Sequence, residues 1–318
     1  MRRALPAIGL FFLAPAVGEL LLGATSLDAI ALLPVMALLY GGGALLIRES
    51  VRRTGRGWWS ILLLGAAYAL VEEGLLDQML FNTHYSDHYD MVSVTYVPFL
   101  GTGAYGLLST LAVHAVWSIT VPIALVEALV PSRAREPWLG GLGLPVVVAL
   151  FLLGTVVVGW GTYEEQHFMA SASRLIGTSL AIVGLIVAAF RIRRPGPGRA
   201  GRTAPRPLVA GVASLALTAA FMAVLQPNWW GVVCALSIAA TAVALGVHWS
   251  RAHGWDRRHV LALAAGATLT YAGVGFTQPP DSGSSGPVNL VGHIVFAAGA
   301  VALLWVAARL SSRCYAPR

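Results

Sequence analysis

Lysine is absent from this 318-residue chain, and acids are scarce: 14 aspartates and glutamates face 21 arginines, and only 11% of residues are charged. Soluble domains carry about 25% charged residues. The shortfall excludes a soluble globular enzyme, a disordered chain and a nucleic-acid-binding domain, despite a pI near 9.9. Cysteine is nearly absent too. Cys234 lies in an apolar run and Cys314 in the tail, which gives neither a disulfide framework nor a thiolate metal motif. What is abundant is apolar: 57% of residues are hydrophobic and the mean hydropathy is +0.73. The chain reads as an all-α polytopic membrane protein whose first partner is the lipid bilayer.

A helix that crosses a bilayer needs roughly 20 mostly apolar residues. Ten stretches qualify: 4–23, 27–47, 57–81, 102–130, 139–160, 171–191, 208–225, 229–247, 260–277 and 288–310. With both termini in the cytoplasm, 20 of the 21 arginines fall on the cytoplasmic side, Arg174 being the exception. This is the positive-inside pattern, and a wrong span count would scramble it. It places the chain in the cell membrane as a multi-pass protein. Most tryptophans fall near span ends, as amphipathic rings at an interface do, and Trp117 is the clear mid-span exception. The opening Met-Arg-Arg before an apolar run resembles a signal peptide. No small-x-small cleavage site follows, and Glu19 interrupts the run, so an uncleaved first helix is expected.

The Pro/Gly-rich segment 191–207 holds six arginines and divides the chain. It is expected to be a solvated cytoplasmic loop that can rest on anionic headgroups. Residues 1–190 form a six-span module with most of the buried ionisable groups, and residues 208–318 form a mostly apolar four-span module. No internal repeat is evident. Gly41, Gly42 and Gly43 in the second span suit close helix packing, and Arg48 with Glu49 reads as a rim ion pair.

Ionisable residues within spans cost about 2.5–3.5 kcal/mol at the bilayer centre and mark function by default. Glu72 and Glu73 lie about 22–24 Å along the third span, just beyond the midplane, with Asp77 nearer the outer face. His114 on the returning fourth span lies at similar depth. Glu19 and His293 sit in the outer parts of the first and tenth spans, and Glu127 sits near the cytoplasmic end. Glu73 and Asp77 share a helix face, while Glu72 lies about 100° away. Thr110, His114 and Ser118 form one polar stripe. So many acids in low dielectric cannot all be ionised. Glu72, Glu73, His114, His293 and Asp77 are therefore the candidate catalytic set. Outside the membrane, His84 and His88 with Asp87 and Asp90 form a candidate site for Zn²⁺ or another divalent ion, provided the loop is helical. Glu164, Glu165 and His167 add similar chemistry on the next outer loop.

The stretches FFLAPAVGELLLG, YGGGALLIRE, YALVEEGLLDQMLFN and HAVWSITVPIALVEAL resemble a widespread group of uncharacterised multi-pass proteins of high-GC Gram-positive bacteria, over roughly the first 130 residues. That resemblance implies no known activity. Glu72 and Glu73 also resemble the paired glutamates of the CAAX-processing and bacteriocin-immunity type of intramembrane protease. His114 and His293 stand in the places of that family's two histidines. Asp77 stands where the family has arginine, Thr110 where it has phenylalanine, and Ala297 where it has asparagine or aspartate. The resemblance implies a glutamate- and histidine-activated water acting on a membrane-protein or lipid substrate. Three readings follow: a membrane-embedded hydrolase, a proton- or cation-coupled transporter, or a non-catalytic assembly or immunity-type partner.

Overall fold

The computed structural model describes residues 4–85, 90–192 and 203–313, and the side chains of residues 312 and 313 are outside the description. A helical rod occupies each of the ten apolar stretches. These are α1 (Leu5–Leu21), α2 (Leu27–Arg53), α3 (Trp58–Leu76), α4 (Ala104–Leu129), α5 (Gly143–Gln166), α6 (Ala172–Arg191), α7 (Pro207–Val224), α8 (Trp229–Ser250), α9 (Arg257–Val274) and α10 (Pro287–Arg313). The only strands among the described residues are the two-residue β1 (Tyr96–Val97) and β2 (Thr102–Gly103), paired antiparallel before α4. The chain is an all-α polytopic bundle.

Eight rods are long and apolar enough to cross a membrane. The two that fall short, α1 and α9, lie against protein along much of their length. Leu10 and Ala14 of α1, and Ala267 and Tyr271 of α9, are almost fully buried. A helix sheltered by its neighbours tolerates more small and polar residues than one facing lipid. By contrast, α5 to α8 and α10 turn large apolar side chains outward, among them Leu152, Leu180, Val212, Leu236 and Val295. Those faces suit lipid.

The three glycines of α2 explain its central place. A Cβ at Gly41 would run into the Phe11 backbone of α1, one at Gly42 would press on Phe151 of α5, and one at Gly43 would meet the Tyr68 ring of α3. Three consecutive residues without side chains thus let three helices approach one rod from three directions. A second core joins the two halves of the chain. Val17, Trp117 and Leu125 from α1 and α4 pack with Leu261, Ala264 and Tyr271 of α9 and Ala307 of α10. The α7–α9 contact is tight for the same reason as at α2: a Cβ at Gly266 would meet the Gly211 carbonyl oxygen. Ser214 Oγ donates to the Leu263 carbonyl at 2.7 Å beside it.

At the arginine-marked end, α2 and α4 are joined by a buried ion network. Arg52 grips Glu127 through two hydrogen bonds, Nε to Oε1 at 2.7 Å and Nη2 to Oε2 at 2.8 Å. Arg48 Nε reaches the same carboxylate at 3.1 Å, and its Nη1 reaches Glu49 at 2.7 Å. Glu49 in turn accepts the backbone N–H groups of Trp138 and Leu139. Arg48 and Glu49 are 0% exposed, so the pair expected at the rim is inside the bundle. Trp138, expected at the interface, is also buried, with the Arg48 guanidinium 3.5 Å above its ring. A buried carboxylate that loses its partners, or strands them, costs about 3–5 kcal/mol. Glu127→Ala should therefore lower stability by about that amount in detergent melting experiments. Glu164→Ala, on the exposed far end of α5, should change it by less than about 0.5 kcal/mol.

Candidate functional site

Three rods change hydrogen-bond register where their polar residues lie. The π-helical turns are Ala16–Leu21 in α1, Glu72–Leu76 in α3 and Val113–Thr120 in α4. A π turn closes i→i+5 rings, which widens the helix locally and re-aims its side chains; such turns are rare and often sit at functional sites. Here they carry Glu19, then Glu72 and Glu73, then His114 and Ser118.

The result is one buried centre. His114 Nε2 lies 2.8 Å from Glu73 Oε1. On the other side of the ring, Nδ1 lies 3.1 Å from Glu72 Oε2. That contact is of ion-pair length but off the line of an N–H bond, and the hydrogen-bonding neighbour of Nδ1 is Ser118 Oγ at 3.3 Å. In a regular α-helix, Glu72 and Glu73 would point about 100° apart. In the π turn they reach opposite edges of a single imidazole. Glu72, Glu73 and His114 are all less than a tenth exposed. Glu19 joins from α1, where its Oε1 accepts the Tyr40 hydroxyl at 2.5 Å and its Oε2 lies 3.5 Å from Thr25 Oγ1. The rings of Tyr40, Tyr68 and His114 form a triangle with centroids 6.0–6.1 Å apart. Room for it comes from Gly18, where a Cβ would press on Tyr40 and Ser118. The same close approach recurs at Gly65, where a Cβ would press on the Ala115 backbone.

Asp77, one residue past the π turn, caps the Met79 N–H and stands in the field of Glu73 and Glu72. The next residue, Gln78, holds φ at 59°, a left-handed conformation that costs a non-glycine residue of order 1–3 kcal/mol. It is compensated: Gln78 Oε1 accepts the Ala170 N–H at 2.7 Å. Above this end, burial pushes the Tyr85 phenol well above its ordinary pKa, and the charges of Asp77, Glu73 and Glu72 push it further. In the same outer segment, Asp90 is held below the ordinary carboxylate range. Its slight burial works against this, and the Ser93 and Val92 N–H groups outweigh it. Among the described residues, four buried polar atoms around the centre have no hydrogen-bond partner: Glu73 Oε2, Glu72 Oε2, Tyr68 Oη and Thr110 Oγ1. Orphaned polar atoms in low dielectric are costly, so the centre is polar beyond what its own contacts satisfy.

Of the five candidate catalytic residues, the fold brings together Glu72, Glu73 and His114, with Asp77 adjoining. His293 is elsewhere. Its ring fills the space over Gly23 (φ +90°), where a Cβ would collide with it, and lies 5.6 Å from the Phe276 ring. Among the described residues it makes no hydrogen bond or ion pair. His84 is exposed, with Nδ1 beside Thr83 Oγ1 at 2.9 Å, while His88 and Asp87 lie outside the described residues. Glu164, Glu165 and His167 are exposed at the far end of α5. No group of three His, Cys, Asp or Glu side chains among the described residues is arranged to hold a metal ion. Sequence reasoning did not single out Tyr40 and Tyr68. Their spacing from the flagged acids gave no signal, since tyrosine is common in apolar helices.

Contact between Glu73 and His114 predicts strong coupling in a double-mutant cycle. Glu73→Gln and His114→Phe should be non-additive by about 0.5–3 kcal/mol in thermal stability. The cycle of Glu73→Gln with His293→Phe should be additive within about 0.5 kcal/mol.

Comparison with curated proteins and with solved structures found no match. A family model does match, over residues 10–276, which runs from within α1 to the end of α9 and includes every residue of the buried centre. The chain is a member of an uncharacterized membrane protein family.

Proposed function

We propose that this protein is a proton-coupled transporter of the cell membrane, with its arginine-marked end in the cytoplasm and the Glu19–Glu72–Glu73–His114 centre as its proton-binding site. The observation that carries this reading is that α2 and α4 each contribute to both polar centres. Helix α2 places Tyr40 against Glu19 and, eight residues on, Arg48 against Glu127. Helix α4 places His114 between the glutamates and, thirteen residues on, Glu127 between the arginines. Those separations are about 12 Å and 20 Å along the two helices. A change of charge at the first centre therefore acts on rods that also hold the second. That is the physical requirement for linking proton binding to the opening of an ion-paired end.

The proposed proton store is the cluster itself. Three carboxylates and an imidazole share one low-dielectric volume, and all four cannot be charged independently. A proton held between Glu73 and His114 neutralises one acid and stabilises its neighbours. Losing it leaves Glu72 and Glu73 repelling each other across the ring. The arrangement reaches toward the outer end through Asp77 and Tyr85 on one side and Thr25 on the other.

A second reading, the membrane-embedded hydrolase, is supported by one observation: Glu73 Oε2 is buried and unpartnered beside an imidazole 2.8 Å from the other oxygen. That is the form of a base with its orienting group. Against it, both imidazole nitrogens already face carboxylates, and His293 is engaged with Gly23 and Phe276.

A pH jump applied to proteoliposomes on a solid-supported membrane separates these readings. The transporter reading expects a transient charge displacement in the wild type as the centre binds protons. Glu73→Gln with His114→Phe should reduce it at least tenfold, and Glu164→Gln should leave it unchanged. Equal displacement in the wild type and the double variant would sink the proposal. Absence of displacement, together with loss of a processed membrane substrate in Glu73→Gln cells, would select the hydrolase.

A further inference from the structure

A cavity of about 490 Å³ opens at the arginine-marked end, between the start of α3, the ends of α4 and α8, and the start of α9. It is distinct from the buried acid–histidine centre. Its inner wall is the Arg52–Glu127 fork, and Arg135 and Arg257 line it further out. Arg135 is exposed and makes no hydrogen bond or ion pair among the described residues. Arg257 spends one N–H on the Pro131 carbonyl. That bond ties the start of α9 to the loop after α4 and so brings the two guanidiniums to one mouth.

Three arginines line the cavity, Arg52, Arg135 and Arg257, against two acids, Glu127 and Asp256. Glu127 is bonded by Arg52 and by Arg48. Asp256 Oδ1 is occupied by the Arg258 N–H at 2.9 Å and by His259 Nδ1 at 2.8 Å, capping α9. Much of the remaining lining is apolar or aromatic, including Ala128, Leu261, Trp58 and Trp255. Cation-rich polar surface beside apolar wall and indole rings, at the level of helix ends, matches an amphipathic anion. Guanidinium forks recognise phosphoryl oxygens in particular.

We propose that this cavity binds a phosphoryl anion, presented by an anionic phospholipid headgroup or by a soluble phosphorylated molecule. The bound phosphoryl group sits between Arg135 and Arg257, within reach of Arg52. It competes with Glu127 for that guanidinium and so loosens the bond between α2 and α4. This inference rests on the cavity and its lining and stands apart from the transporter reading.

The test uses the full chain purified in detergent, with native mass spectrometry as the readout. The probes are phosphatidylglycerol, phosphatidylcholine and glycerol phosphate. Phosphatidylglycerol is expected to bind in preference to zwitterionic phosphatidylcholine. Arg135→Gln with Arg257→Gln should weaken it at least tenfold. The charge-matched pair Arg191→Gln with Arg206→Gln, exposed at the same end but away from the cavity, should not. Ala128→Phe, which fills the space and leaves every charge in place, should produce the same loss. If glycerol phosphate binds with this residue dependence and phosphatidylglycerol does not, the anion is a soluble phosphorylated molecule and the site stands. Equal binding of the two lipids with no glycerol phosphate bound, or equal weakening by the control pair, would overturn the proposal.

Discussion

A charged side chain inside a bilayer is tolerated only with a partner, because hydrocarbon returns none of the hydration that water gave. Almost everything distinctive in this bundle follows from that constraint. Glu19, Glu49, Glu72, Glu73 and Glu127, with His114, Arg48 and Arg52, lie within its inner helices, gathered into two polar centres. At one end the pairing is complete: Arg48, Arg52, Glu49 and Glu127 satisfy one another and the backbone of the 133–139 segment. In the middle it is incomplete. Carboxylates outnumber cations around His114, and several oxygens are left without partners. A complete network fixes geometry, and an incomplete one leaves costly polar atoms in low dielectric.

The incomplete centre also required the helices to depart from regular geometry. An α-helix cannot aim two adjacent side chains at one ring. The π turn at Glu72–Leu76 does so, and the π turn at Val113–Thr120 presents the ring to receive them. Each π turn weakens backbone regularity inside the membrane, where backbone bonds are most valuable. Three such turns converging on one cluster, with a left-handed Gln78 immediately after, place the local strain of the fold around a single set of titratable groups. That coincidence is better evidence for function than the acids alone.

How much of this was legible in the sequence depends on what carries each feature. The ten rods were legible because hydropathy and arginine placement are properties of the chain itself. Glu72, Glu73 and His114 were legible as a set because their depth along each span can be counted. Depth does not give lateral position, however. His293 shares the outer half with Glu19, yet it faces Gly23 and Phe276. The same gap hid the link from Arg48 to Glu127, 79 residues apart, and made a buried Trp138 look interfacial. The π turns were illegible for another reason: α and π registers differ by one hydrogen-bond step, and no residue type in EEGLL or VHAVWSIT announces the change.

The apolar second half of the chain looked like scaffold by composition, and its packing gives that word a specific meaning. Trp117 lies in the same π turn as His114. Its ring stacks on Tyr271 of α9 at 4.4 Å, and its Nε1–H donates to the Ala267 carbonyl at 2.8 Å. Both residues are almost fully buried. Neither ring can turn without displacing the other, because close-packed interiors leave no room for independent motion. The orientation of His114 is therefore set partly by a helix that contributes no charge to the centre. The first turn of α9 also lines the arginine-rich cavity, some ten residues from Ala267 along the same rod. One rod, α9, thus touches both the arginine-rich cavity and, through the Trp117–Tyr271 stack, the π turn of α4 that holds the imidazole between the two glutamates.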